Sequence, residues 1–149
     1  MRDTVELAGP EAAASDYHLQ DQVGFVLRKA HQRHVAIFAS HIADLTPPQF
    51  AALAKLYDVG ETSQNHLGQM IAMDAATVKG VIDRLKTRGL VVLAKHDGDK
   101  RRLLVKLTDQ GRQAVEQLIP KARKITEETL APLSAKEVAA FLKLLAKLA

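Results

Sequence analysis

A mainly α-helical fold carrying a small β-hairpin is predicted from three observations. The first is the apolar spacing between Asp74 and Gly89, where Val78, Val81, Ile82 and Leu85 recur at three- and four-residue intervals and line one helical face. The second is a pair of β-rich runs, Val91–Ala94 and Leu103–Leu107, flanking the charged segment His96-Asp97-Gly98-Asp99-Lys100, so that they pair as a hairpin. The third is charge placement. Residues Asp74 to Arg112 hold ten Lys and Arg against five Asp and Glu, whereas residues 1–73 hold five against eight and residues 113–149 hold six against four. The positive excess therefore lies on the helix and hairpin that would meet a polyanion. Helix, turn, helix and basic two-stranded wing, in that order, make a winged helix-turn-helix.

Length and composition set bounds on the rest. With 149 residues, 47% of them hydrophobic, the chain suits a single domain and leaves no room for a separate catalytic one. It has no cysteine, which excludes disulfides, thiolate metal sites and thiol redox sensing. The opening segment MRDTVELAGPEAAASD lacks the apolar core of a signal peptide, and no run of about 18 apolar residues occurs anywhere. A cytoplasmic protein without a membrane partner is expected.

Taken in order, residues 1–15 show no periodicity and contain Gly9 and Pro10, which reads as a mobile arm. From about Asp16 a long helix is expected, with Leu19, Val23, Val26, Leu27, Ala30, His34, Ile37, Phe38 and His41 along one face. At about 25 residues it would be about 37 Å long, more than a small winged-helix core needs. Thr46-Pro47-Pro48-Gln49 is a helix start, with Thr46 as N-cap and Gln49 closing a capping box. Phe50, Leu53, Ala54, Leu56 and Tyr57 give that helix its buried side. Thr62 is the expected cap of the next helix, where Leu67, Met70 and Ile71 face inward. Asp74 caps the second helix of the motif, and Gly89 ends it after Lys86 and Arg88, whose charges suit the negative end of the dipole. Thr108 caps a further long helix that Pro120 should kink, and Ser134 with Glu137 form a capping box for the last one. The stripe Val138, Phe141, Leu142, Leu145 and Leu148 on that last helix needs a partner surface.

The pattern DAATVKGVIDRLKTRGLV, followed by DGDKRR and LVKLTDQG, resembles the MarR family of bacterial transcription regulators. The family's wing carries Asp-x-Arg, matched by Asp99 and Arg101. Its next helix opens with Leu-Thr-x-x-Gly, matched by Leu107, Thr108 and Gly111. The likeness covers Tyr17 to Ala149, and the lack of cysteine sets this chain apart from the peroxide-sensing branch. The resemblance implies one domain over residues 16–149, with residues 46–111 as the DNA-binding lobe and residues 16–45 and 112–149 as dimerisation helices. It also implies a homodimer on a near-palindromic operator in double-stranded DNA, and release by a small-molecule effector such as an aromatic carboxylic acid.

Candidate contacts follow from side-chain chemistry. Ser63 and Gln64 stand at a helix start whose free N–H groups suit a phosphate, although plain capping explains them equally well. Ala75 and Ala76 are small enough for close approach to a groove, Thr77 offers a hydroxyl or a methyl, and Lys79 can reach phosphate or guanine. Arg84 suits either a backbone phosphate or an internal pair with Asp83 or Glu61. Arg101 in the wing is the expected minor-groove residue, steadied by Asp99, with Lys100 and Arg102 as phosphate contacts or solvated charges.

Six histidines raise a metal reading, but His31, His34 and His41 have no acidic residue at ligand spacing, so no metal site is expected. His34 and His41 on the apolar stripe are either satisfied core residues or, with Phe38, Phe50 and Tyr57, the lining of an acid-binding pocket. No catalytic residues and no cofactor are indicated, and an enzyme is not expected. The competing reading is a winged-helix adaptor that binds protein rather than an operator. It would call for an apolar, weakly charged recognition face, and this sequence has the reverse.

Overall fold

The computed structural model describes residues 14–96 and 99–149, the side chains of residues 96–102 excepted. Two compact units are distinguished, one reaching Arg33 and the other running from His34 onward. The first unit holds two 3-10 turns, Ala14–Asp16 and Leu19–Asp21, and the start of helix α1 (Val23–His41), whose residues from His34 belong to the second. The helix expected from Asp16 therefore starts at Val23. His18 and Gln22 hold extended backbone and interrupt the run, and the Gln22 side-chain amide donates to the His18 carbonyl at 3.0 Å. At 19 residues α1 is about 28 Å long rather than about 37 Å. The expected mobile arm lies outside the described residues up to position 13, and Ala14 and Ser15 belong to the first 3-10 turn.

The second unit adds α2 (Pro47–Val59), β1 (Thr62–Ser63), α3 (Gln64–Met70), α4 (Ala75–Thr87), β2 (Val91–His96), β3 (Asp99–Leu107), α5 (Asp109–Leu130) and α6 (Ala135–Lys147). Its core is drawn from the end of α1, from α2, α3, α4, β2, β3 and from α5. Phe38, Ile42, Leu53, Leu56, Leu67, Val105 and Val115 are buried together with the α4 seam of Val78, Val81, Ile82 and Leu85. α5 runs through Pro120 as one helix.

The capping expected from sequence is present at four helix starts. Thr46 and Gln49 bond reciprocally at 3.1 and 3.3 Å, and Ser134 and Glu137 do so at 2.9 and 3.2 Å. Asp74 accepts from the Thr77 N–H at 2.7 Å, and Thr108 from the Gly111 N–H at 3.0 Å. At α3 the cap is one residue later than expected: Ser63, not Thr62, accepts from the His66 N–H, at 3.2 Å. The reason is tertiary. Thr62 and Ser63 form a short strand pairing antiparallel with Val105 and Leu104, so the sheet has the order β1-β3-β2. A two-residue strand has no sequence signature of its own, and the hairpin alone was foreseen.

The wing strands are also longer than expected, reaching His96 and Asp99 with a register irregularity between Lys95 and His96. Their base is closed by a junction that gives the Leu-Thr-x-x-Gly motif its physical meaning. The Thr108 N–H donates to the Leu90 carbonyl at 3.1 Å, and the Thr108 hydroxyl donates to the Gly89 carbonyl at 2.6 Å. Gly89 holds φ +73°, the left-handed conformation that ends α4. Gly111 sits so close beneath Leu90 that a Cβ there would fall 2.0 Å from its carbonyl oxygen. The end of α4, the base of the wing and the first turn of α5 are thus locked at one point.

Gly111→Ala is therefore expected to cost more than about 3 kcal/mol, since backbone rather than a yielding side chain opposes the methyl group. Thermal unfolding followed by circular dichroism checks this. A melting temperature close to that of the wild type would show that α5 can move off Leu90.

Candidate nucleic-acid interface

With Val78, Val81, Ile82 and Leu85 buried, helical geometry turns Ala75, Ala76, Thr77, Lys79, Asp83 and Arg84 outward, and all six are exposed. Two alanines in the first turn leave the helix start uncrowded. Behind them the Asp74 carboxylate holds the Thr77 N–H. Its pKa is lowered, chiefly by the Thr77 backbone hydrogen bond, then by the Thr77 side chain and more weakly by the Ala76 N–H. Lys79 is exposed but paired along its own helix. Its Nζ donates to Asp83 Oδ2 at 2.8 Å, one turn along, and that bond and charge raise its pKa.

Arg84 makes neither internal pair considered for it, because Asp83 is taken by Lys79 and no ion pair joins Arg84 to any described residue. It lines, with Leu45, Thr46, Gln49, Thr87 and Arg88, an open groove of about 760 Å³ between the α1–α2 loop and the C-terminal half of α4. Arg88 closes one side of that groove. Its guanidinium donates to the Asp44 backbone carbonyl and lies 3.3 Å from the Asp44 carboxylate. This clasp ties the end of α4 to the loop after α1. Sequence reading assigned Arg88 only to the helix dipole, since a partner 44 positions away leaves no local signal.

Ser63 and Gln64 are half-buried where β1 passes into α3, and Ser63 is committed both to the β3 ladder and to the cap of α3. Because β3 continues into the wing, Ser63 and the wing share one strand ladder, while Gln64 is the first residue of α3. Asp99, Lys100, Arg101 and Arg102 open β3. Their side chains, and with them the expected Asp99–Arg101 pair, lie outside the described residues.

The residues expected around an effector divide into three settings. Phe38 is buried and meets Phe50 edge-on, with ring centres 6.2 Å apart at 61°. His34 Nδ1 lies 2.8 Å from the Thr129 hydroxyl and His41 Nε2 lies 2.7 Å from Glu128 Oε1, so both imidazoles find partners near the end of α5. Tyr57 donates to Glu116 at 3.4 Å, with the Arg112 guanidinium 5.5 Å from its ring centre. Neither the 760 Å³ groove nor a second one of about 350 Å³ beside Leu90 and Gln113 is lined by any of these five residues. Among the described residues no cluster of three or more His, Asp or Glu has metal-binding geometry. No described helix is long and apolar enough to cross a membrane.

The Asp74 cap carries a pH signature. Its folded pKa lies below the ordinary 3.8, so its contribution is fully present above that value and is lost as pH falls through the lowered one. Asp74→Ala should therefore melt at a lower temperature than the wild type at neutral pH, and the gap should close in strong acid. Paired melting curves across that range check it, and a gap independent of pH would show that the charge does not act at the cap.

Comparison with known proteins agrees with this geometry. A MarR family model matches residues 43–102. The transcriptional repressor NicR of Pseudomonas putida is 43% identical over 144 residues, spanning 93% of this chain and 91% of that one. Among solved structures, a probable transcriptional regulator from Pseudomonas aeruginosa superposes with a TM-score of 0.86 at 48% identity, covering 89% of this chain and 100% of that one. Bordetella bronchiseptica BpsR, whose DNA binding is regulated by 6-hydroxynicotinic acid, gives a TM-score of 0.85 at 44% identity, with coverage of 89% and 96%. Sequence, winged-helix geometry and relatives converge: the chain belongs to the MarR family of DNA-binding transcription regulators.

Proposed function

We propose that the chain works as a homodimeric repressor that occupies a near-palindromic operator and leaves it when a small aromatic acid binds. The observation that carries the dimer is α6. None of its thirteen residues is buried, and Phe141, Leu142, Leu144 and Leu148 are exposed while its N-terminus is fully capped. A capped amphipathic helix with no buried residue is one half of an interface. Residues 16–45 and 112–149 are the proposed dimerisation helices, and residues 46–111 the proposed DNA-binding lobe. Two copies of α4 would enter successive major grooves, about 34–36 Å apart, so an effector that alters lobe spacing by a few ångströms abolishes the fit.

In this reading Ala75, Ala76, Thr77 and Lys79 face base edges, while Ser63, Gln64 and Arg84 take phosphates. The wing residue Arg101, with Asp99, Lys100 and Arg102 around it, enters the flanking minor groove. The effector class is supported by the 44% identity to BpsR, and 6-hydroxynicotinic acid is the first compound to test. His34, Phe38, His41, Phe50 and Tyr57 are the proposed contacts for its ring and carboxylate.

Light scattering on the full chain should return twice the 16.3 kDa chain mass, and removal of residues 134–149 should leave a monomer or insoluble protein. A duplex enriched by the wild type from a random pool should bind Arg101→Ala more than about tenfold more weakly at roughly 0.15 M salt. The same duplex should be released by 6-hydroxynicotinic acid. A folded monomer as the main species contradicts the dimer, and binding indifferent to the acid contradicts the effector class.

A further inference from the structure

Within α4, Lys79 and Asp83 form an exposed ion pair one helical turn apart. Asp83 is the single acidic side chain within α4, whose other charges, Lys79, Arg84 and Lys86, are all positive and exposed. A carboxylate on a face turned toward a polyanion opposes binding, so its position needs an account. Stability does not supply one. Both partners are largely solvated, with side chains 66% and 55% exposed, and such pairs contribute little. The order is also the less favourable one for a helix, with the base N-terminal to the acid.

What the pair does accomplish is geometric. Lys79 is the first long cation after the small residues Ala75 and Ala76, and its ammonium is folded back 2.8 Å from Asp83 rather than extended beyond the helix. The Asp83 carboxylate is aligned for this by its place one turn along, while its own backbone carbonyl is occupied by the Thr87 hydroxyl at 3.0 Å. A free lysine at this position would add a phosphate contact on any duplex, since phosphate contacts carry no sequence information. A lysine held by a weak, solvated partner is released only where the duplex offers something better, such as the O6 and N7 edge of a correctly placed guanine.

We propose that Asp83 is a specificity-determining residue, which withholds Lys79 from phosphates of unrelated duplexes and yields it to the matched site. The proposal rests on the reading that α4 faces DNA.

The test uses full-length wild type, Asp83→Asn, Lys79→Met and the double variant. Anisotropy titrations over a range of KCl concentrations would employ two probes: the duplex enriched by the wild type, and the unselected random 30-bp pool. Asp83→Asn should tighten binding to the random pool by about three- to tenfold, with a salt dependence steeper by about one unit of slope. Its gain on the enriched duplex should be smaller, so that the ratio between the two falls. In the Lys79→Met background the effect of Asp83→Asn on the random pool should vanish. An equal gain with and without Lys79 would mean that the carboxylate only repels DNA, and no gain at all would mean that the pair restrains nothing. Either result overturns the proposal while leaving DNA binding intact. Failure of the wild type to enrich or bind any duplex would instead remove the DNA reading and the proposal together. Circular dichroism on each variant separates these outcomes from misfolding.

Discussion

Burial of Val78, Val81, Ile82 and Leu85, none more than 7% exposed, sets the rotation of α4 about its own axis. Removing any one of these side chains would open a cavity costing about 2–5 kcal/mol for a leucine or isoleucine, so the rotation is strongly held. The exposed face follows from it by helical geometry alone: small residues first, then Lys79, Asp83 and Arg84. The ends of the helix are held as firmly as its side. Asp74 caps the start. The finish is fixed twice, by Gly89 and Leu90 against Thr108 and Gly111, and by the Arg88 clasp on Asp44. A helix held at both ends and along one face presents its remaining surface with little freedom to turn.

The same junction connects that surface to the rest of the chain. β3 carries the wing at one end and leads into Thr108 at the other, and β1 ties the start of α3 to its middle. Movement of α5 relative to the winged-helix unit would therefore be felt at the end of α4, through Leu90, and at the wing. His34 and His41 meet Thr129 and Glu128 at the far end of α5, so the last turns of α1 are joined to the same lever. His34 and His41, two of the proposed effector residues, are thus connected through α5 to the junction at Leu90 and Gly111.

How far the sequence could be read depended on the range of each interaction. Caps at Thr46, Asp74, Thr108 and Ser134, and the C-terminal Gly89, were legible because each is decided within three or four residues. The α4 seam was legible because its period is helical and uninterrupted. The two-residue β1, the shift of the α3 cap to Ser63 and the Arg88–Asp44 clasp were not, since each depends on a partner about 40 positions away. The late start of α1 was missed because an apolar stripe continues through Leu19 and Val23 although the backbone at His18 and Gln22 is extended. At the candidate interface the residue types on α4 were identified correctly as outward-facing. Their pairing was not: Arg84 was left open between a phosphate, Asp83 and Glu61, and the bond between Lys79 and Asp83 was not among the readings.

Backbone amide exchange with and without the enriched duplex tests the central claim, that the face opposite the α4 seam meets DNA, most directly. The account predicts that the duplex slows exchange in the first turn of α4, where Ala75 and Ala76 N–H groups lack intrahelical partners, and in the wing strands, with no added protection in α6. Protection confined to α6, or absent from α4, would contradict it.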